Sequence, residues 1–131
     1  MKATVKWQSD MKFTGETETG KRIEMDGDGT QASPMEAVLL AVGACSSIDV
    51  VEILKKSRQA ISDCVCELEA TRADEAPRVF TDIHAHYSVT GESLSEKHVQ
   101  RAVQLSAEKY CSVMLMLEGK VKITTSFSIQ S

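Results

Sequence analysis

Proline and glycine are scarce, with two and seven in 131 residues. Collagen-like, low-complexity and wholly disordered chains are thereby excluded. Long hydrophobic runs are also missing. The longest, Ala37 to Cys45, has nine residues, against the about 20 that a membrane span requires, so no bilayer crossing is expected. Nor is there an excess of basic residues. Fifteen Lys and Arg against nineteen Asp and Glu give a net charge of −4, which argues against a nucleic-acid footprint of clustered cations. The opening Met1-Lys2-Ala3-Thr4-Val5-Lys6-Trp7 alternates like a strand and holds no apolar leader core. A cytoplasmic chain is expected, in which the four cysteines stay reduced and a disulfide is transient rather than a framework. What is present is ordinary: 42% hydrophobic and 26% charged residues. The length suits one domain, residues 1–131, able to bury about two-thirds of its unfolded surface.

Alternation predicts three short strands first, Ala3 to Gln8, Phe13 to Glu18 and Arg22 to Asp26. Asp26-Gly27-Asp28-Gly29 ends the third, its glycines tolerating positive φ. A helix then starts at Ser33-Pro34-Met35-Glu36, with Ser33 as N-cap, proline at the first helical position and Glu36 closing a capping box. From Met35 to Leu54 apolar residues fall on nearly every side, the mark of a buried helix. Strands follow at Asp63 to Arg72 and Val79 to Thr90, then a second helical region from Leu94 to Leu117 capped by Ser93 with Glu96, and a last strand from Lys120 to Gln130. The order β-β-β-α-β-β-α-β predicts an α+β fold of antiparallel sheets with two buried helices. One small sheet covers one side of a helix that is apolar all round, so an obligate homodimer is expected to cover the rest.

Cys45 and Cys111, 66 positions apart, each sit among small residues in a predicted helix: Gly43-Ala44-Cys45-Ser46-Ser47 and Tyr110-Cys111-Ser112. If the helices cross there, the sulfurs come within disulfide reach. The plainer reading is that both fill space, as buried cysteines commonly do. Cys64-Val65-Cys66 and His84-Ala85-His86 have the residue types of a zinc site. Aligning Leu68 with Ile83 across the hairpin sends the histidines to the face opposite the cysteines, so no metal and no cofactor is expected. His98 is expected to face solvent, Lys55, Lys56 and Arg58 to close a helix end, and Met114 and Met116 to fill core.

The run Ser33-Pro34-Met35-Glu36-Ala37-Val38-Leu39-Leu40-Ala41-Val42-Gly43-Ala44-Cys45-Ser46-Ser47-Ile48-Asp49-Val50-Val51 resembles the central helix of the OsmC/Ohr family. Met25-Asp26-Gly27 and Ala107-Glu108-Lys109-Tyr110-Cys111-Ser112-Val113 resemble the segments around it and around that family's second cysteine. The resemblance spans essentially the whole chain. It implies an intertwined homodimer that reduces organic hydroperoxides, with Cys45 as peroxidatic thiol, Cys111 as resolving thiol and an external dithiol, typically a lipoylated protein, as reductant. The family's peroxidases carry adjacent Pro-Glu, the carboxylate holding an arginine beside the thiol. Here Pro34-Met35-Glu36 turns the acid about 100° around the helix. Glu36 is thus a candidate for that role as well as for the cap. Lys12 and Arg22 are the cations near the family's arginine position, and neither is assigned to it. Asp49, one turn after Cys45, disfavours a thiolate if it points the same way. A dimeric redox sensor or small-ligand binder on the same fold is the alternative function.

Overall fold

The computed structural model describes residues 1–131. The chain divides into two compact units, Met1–Leu40 and Ala41–Ser131.

In the first unit, β1 (Ala3–Ser9), β2 (Lys12–Thr17) and β3 (Arg22–Asp26) form an antiparallel sheet in the order β1-β2-β3. The register sets Val5, Gly15 and Ile23 in one row and Trp7, Phe13 and Met25 in the next. Alternation thus gathers the apolar side chains on one face. Within this unit that face has little cover, and Val5, Trp7 and Ile23 are each more than 60% exposed. Asp26 is buried at the end of β3. Its carboxylate accepts the Asp28 N–H at 2.7 Å and the N–H and hydroxyl of Thr30. These bonds hold its pKa below the usual carboxylate value, the Thr30 hydroxyl contributing most. Of the two glycines expected to turn the chain here, only Gly29 has positive φ. The capping box forms as predicted: Ser33 N–H donates to Glu36 Oε1 at 2.9 Å and Glu36 N–H to Ser33 Oγ at 3.1 Å.

Helix α1 (Pro34–Lys56) begins in this unit and continues into the second. Its buried stripe in the second unit is Val42, Gly43, Ser46, Val50 and Leu54. Burial on all sides is not met within one chain, since Leu40 and Ile48 are 61% and 59% exposed. By length and composition α1 is apolar enough to cross a membrane, although Ser46, Ser47 and Asp49 break its apolar run. Core helices of soluble proteins share this length and composition.

The second sheet has the order β4-β5-β6, from β4 (Ala60–Arg72), β5 (Phe80–Glu92) and β6 (Lys122–Gln130). Strand β5 is central, and its alternate residues Ile83, Ala85, Tyr87 and Val89 are buried. The β4–β5 hairpin pairs Leu68 with Ala85 and Cys66 with Tyr87, two positions from the alignment expected. The loop turns one residue later, with the same residues on each face. Strand β6 runs parallel to β5, where an antiparallel pair was expected. The intervening 29 residues, 93–121, form the long crossover that parallel neighbours need.

That crossover is not one helix. α2 (Glu96–Leu105) is capped by Ser95, whose Oγ accepts from His98 N–H. The expected cap, Ser93, has φ 52° and lies outside the helix. A π-helical turn at Ser106–Tyr110 follows, then α3 (Ser112–Leu117). Cys111 stands between them with φ −73° and ψ 102°. The second cysteine is therefore borne by a helix junction, a correction to the expected continuous helix.

Candidate functional site

The site is built on the buried stripe of α1, the inward face of β4 and β5, and the junction at Cys111. Its centre is polar. Ser46 Oγ donates to the Val42 carbonyl at 2.8 Å and accepts the Tyr87 hydroxyl at 2.6 Å. Both residues are at most 1% exposed. A buried tyrosine tip needs such a partner. Ser106 Oγ lies 3.2 Å from the Ser46 carbonyl and 3.0 Å from Asp49 Oδ2, tying the π-turn to α1. Asp49, which would disfavour a thiolate at Cys45 if it pointed the same way, is engaged by Ser106.

Two thiols meet beside this core. Cys45, on α1, is half-buried, while Cys111 is fully buried. Cys45 lies close enough to bear on the Cys111 thiol. The break before α3 lets Cys111 act as its N-cap, with Sγ accepting the Met114 N–H at 3.4 Å. Burial pushes the Cys111 pKa up to about 11, with Cys45 adding to the rise and the Met114 N–H opposing it. At neutral pH Cys111 is a protonated thiol, and both cysteines are free. The arrangement is a reduced dithiol with one reachable sulfur and one enclosed sulfur.

The other two cysteines also face α1. Cys64 and Cys66 are half-buried on β4, and the Ser47 hydroxyl acts to lower the pKa of both. The Tyr87 hydroxyl acts on Cys66 in the same direction. Burial raises both pKa values. His84 and His86 occupy the opposite face of the sheet, as the period predicts. There Ser126 Oγ lies 2.8 Å from His84 Nε2 and 2.6 Å from His86 Nδ1, with Thr124 and Ser128 engaging the remaining ring nitrogens. Nowhere in the chain do three or more His, Cys, Asp or Glu side chains converge as a metal cage.

Glu36 is exposed, and its carboxylate is engaged by Ser33 in the cap. Arg22 lies 3.8 Å from Glu16 on the first sheet, and Lys12 bears on Asp26. A cavity of about 590 Å³ is lined by Asp49, Glu52, Lys56, His98, Arg101 and Tyr110, among others. It places Arg101 beside the same face of α1 as Asp49. The Ser46–Tyr87 bond and the Ser47 contacts were missed by sequence reasoning. The available signal was Tyr87 itself, a polar tip in an otherwise apolar inward series.

Residues 27–126 match the OsmC-like protein family. Protein YhfA of Escherichia coli (strain K12) is 54% identical over 131 residues, covering 98% of both chains. The crystal structure of a hypothetical protein from Aquifex aeolicus VF5 is 32% identical with a TM-score of 0.90, covering 98% of this chain and 95% of that one. The organic hydroperoxide resistance protein OhrB of Bacillus subtilis shares the fold, with a TM-score of 0.64 at 16% identity over 98% of each chain. With its sequence matched along nearly its whole length and its architecture repeated in these structures, the chain belongs to the OsmC-like protein family.

Proposed function

We propose that the chain is a thiol-dependent peroxidase that reduces organic hydroperoxides through Cys45 and Cys111. The observation that carries this reading is the pair itself: a reachable thiol beside a buried, protonated one whose pKa it helps to raise. Cys45, as thiolate, attacks the outer oxygen of the O–O bond. The alcohol leaves with a proton, and Cys45 becomes a sulfenic acid. Cys111 then displaces the sulfenic hydroxyl, its S–H proton leaves in the water formed, and the two sulfurs join as a disulfide. This prevents further oxidation of Cys45. Two electrons from an external dithiol, such as a lipoylated protein, restore both thiols by exchange. Glu36 enters this scheme through the cap that starts the helix carrying Cys45. The apolar helix that carries Cys45 favours an organic hydroperoxide over hydrogen peroxide.

The same reading includes a homodimer, supported by apolar side chains that one chain leaves open. Leu40 and Ile48 on α1, and separately Val5, Trp7 and Ile23 on the first sheet, are each about 60% exposed. The direct test is consumption of cumene hydroperoxide with dihydrolipoamide as reductant. Turnover that Cys45→Ser abolishes is the expected result. No turnover, or turnover indifferent to that substitution, overturns the proposal.

A further inference from the structure

Strand β6 runs parallel to β5 with His84 opposite Thr124, His86 opposite Ser126 and Ser88 opposite Ser128. Side chains alternate along a strand, which puts these six on the sheet face opposite Cys64, Cys66 and Tyr87. They form a continuous row of hydrogen bonds. His84 Nε2 lies 2.8 Å from Ser126 Oγ, and His86 Nδ1 lies 2.6 Å from the same oxygen. Ring nitrogens of two residues therefore converge on one point. The outer nitrogens have partners of their own. His84 Nδ1 is 2.6 Å from Thr124 Oγ1, and His86 Nε2 is 3.2 Å from Ser128 Oγ. Neither the peroxide cycle nor the buried core uses this row.

Proton counting shows what the centre of the row can offer. A neutral imidazole carries one N–H and one acceptor nitrogen. Thr124 and Ser128 can each accept the outer N–H, which leaves His84 Nε2 and His86 Nδ1 with free lone pairs. The single hydroxyl proton of Ser126 satisfies one of these, whereas a cation between the rings satisfies both. A metal-bound histidine characteristically donates its other N–H to a fixed partner that sets the tautomer, and here a hydroxyl stands at each outer nitrogen. Metal–nitrogen bonds of about 2.0–2.1 Å put two ligating nitrogens at most about 4.2 Å apart. Small turns of the rings about χ2, a broad torsion in histidine, bring them to that spacing.

The surrounding charge favours a cation as well. On β4, Glu67 stands opposite His86 and Glu69 opposite His84. Glu69, Asp82, His84, Lys122 and Thr124 help to line a cavity of about 300 Å³ at one end of the row. Three carboxylates thus flank the rings, with Lys122 as counter-charge opposite Asp82. None of them closes on the rings as a third chelating group, so Ser126 Oγ and water are left to complete the coordination.

We propose that His84 and His86 form a two-imidazole site for a divalent transition-metal ion of the Ni(II) or Cu(II) class, with Ser126 Oγ as third donor. Nitrogen and neutral oxygen donors suit these ions in tetragonal geometry, which leaves positions for exchangeable water. A structural zinc site closes with four protein ligands, more than this row supplies. Binding forms two metal–nitrogen bonds and displaces water from the ion. No proton leaves the neutral rings, and no oxidation state changes. The rings are half-buried rather than sealed, so an ion from solvent reaches them. The site is on the far side of the sheet from the cysteines, and the inference is independent of peroxidase activity.

The test adds Ni(II) alone to the full reduced chain and follows the ring nitrogens of its three histidines by NMR. At one equivalent the His84 and His86 signals should broaden or shift together, while those of His98, on α2, stay unchanged. Nickel taken up elsewhere, as by the cysteines, would leave the His84 and His86 signals in place and overturn the proposal. Equal broadening of all three rings would overturn it too. In His84→Gln or His86→Gln, affinity read at the remaining ring should fall about tenfold or more, and Ser126→Ala should lower it by about tenfold. Affinity unchanged in both histidine variants would contradict the site. Circular dichroism on each variant separates lost binding from lost folding, and the titration of the unsubstituted chain decides the case if a variant unfolds.

Discussion

Cys111 owes its properties to local causes that act in opposite directions. Enclosure among apolar side chains raises its pKa, and the Met114 N–H, freed by the start of α3, lowers it by a smaller amount. The net rise, from 9.0 to about 11, has a consequence for stability. An unfolded chain loses this proton first, so above pH 9 the unfolded state binds fewer protons and folding weakens as pH rises. The loss is complete above the folded value. Stability should fall by roughly 1–2 kcal/mol between pH 9 and 11 on account of this group. Urea titrations of the reduced chain across that range, with Cys111→Ser as reference, measure it. Equal slopes in the two proteins would show that the thiol is not held in its neutral form. The Ser46–Tyr87 bond gives a second prediction at this scale. Ser46→Ala strands a buried hydroxyl and should cost about 1–3 kcal/mol, whereas Tyr87→Phe removes the donor and should cost about 0.5–1.5. In a double-mutant cycle the two losses should be less than additive.

Elements show which features the sequence made legible. The start of α1 was readable because Ser33, Pro34 and Glu36 each satisfy a separate requirement of a helix N-terminus, and both reciprocal bonds form. The faces of β4 and β5 were readable because a strand's side-chain period is two, and a register change of two leaves the faces intact. The direction of β6 was not, since alternation is the same in parallel and antiparallel strands. The break at Cys111 was hidden for a related reason. Apolar residues continue through Leu117 on helical spacing, and the cap is a sulfur, which sequence rules do not count among N-caps. Cys45 and Cys111 were legible as a pair of candidates from the small residues around each. Two element-scale predictions follow from these contacts. Ser33→Ala should cost about 0.5–2 kcal/mol, and Glu36→Gln, which keeps an acceptor for the Ser33 N–H, should preserve hydroperoxide turnover. A large fall in turnover for Glu36→Gln with unchanged stability would assign the carboxylate to chemistry. Gly91→Ala should cost about 1–3 kcal/mol, because its Cβ would run into the backbone carbonyl of Ala60. Thermal melts of these variants check the ordering.

At the scale of the whole molecule, the exposed apolar residues argue for a second copy. Burying one Val, Leu or Ile side chain contributes about 1.5–3 kcal/mol, and a folded domain has only about 5–15 in hand. Leaving Leu40, Ile48, Val5, Trp7 and Ile23 in water therefore forgoes an amount comparable to the entire stability. A dimer burying more than about 2,000 Å² is the expected state, and sedimentation at micromolar concentration should show it. A folded species of 14.3 kDa with no dimer would contradict that expectation.

The redox pairing of Cys45 with Cys111 is tested most directly by peptide mass mapping under non-reducing conditions, after the reduced protein meets one equivalent of cumene hydroperoxide. The prediction is a single disulfide joining Cys45 to Cys111, with Cys64 and Cys66 still free thiols. Cys45 recovered as sulfinic acid beside an unmodified Cys111, or all four thiols unchanged, would contradict it.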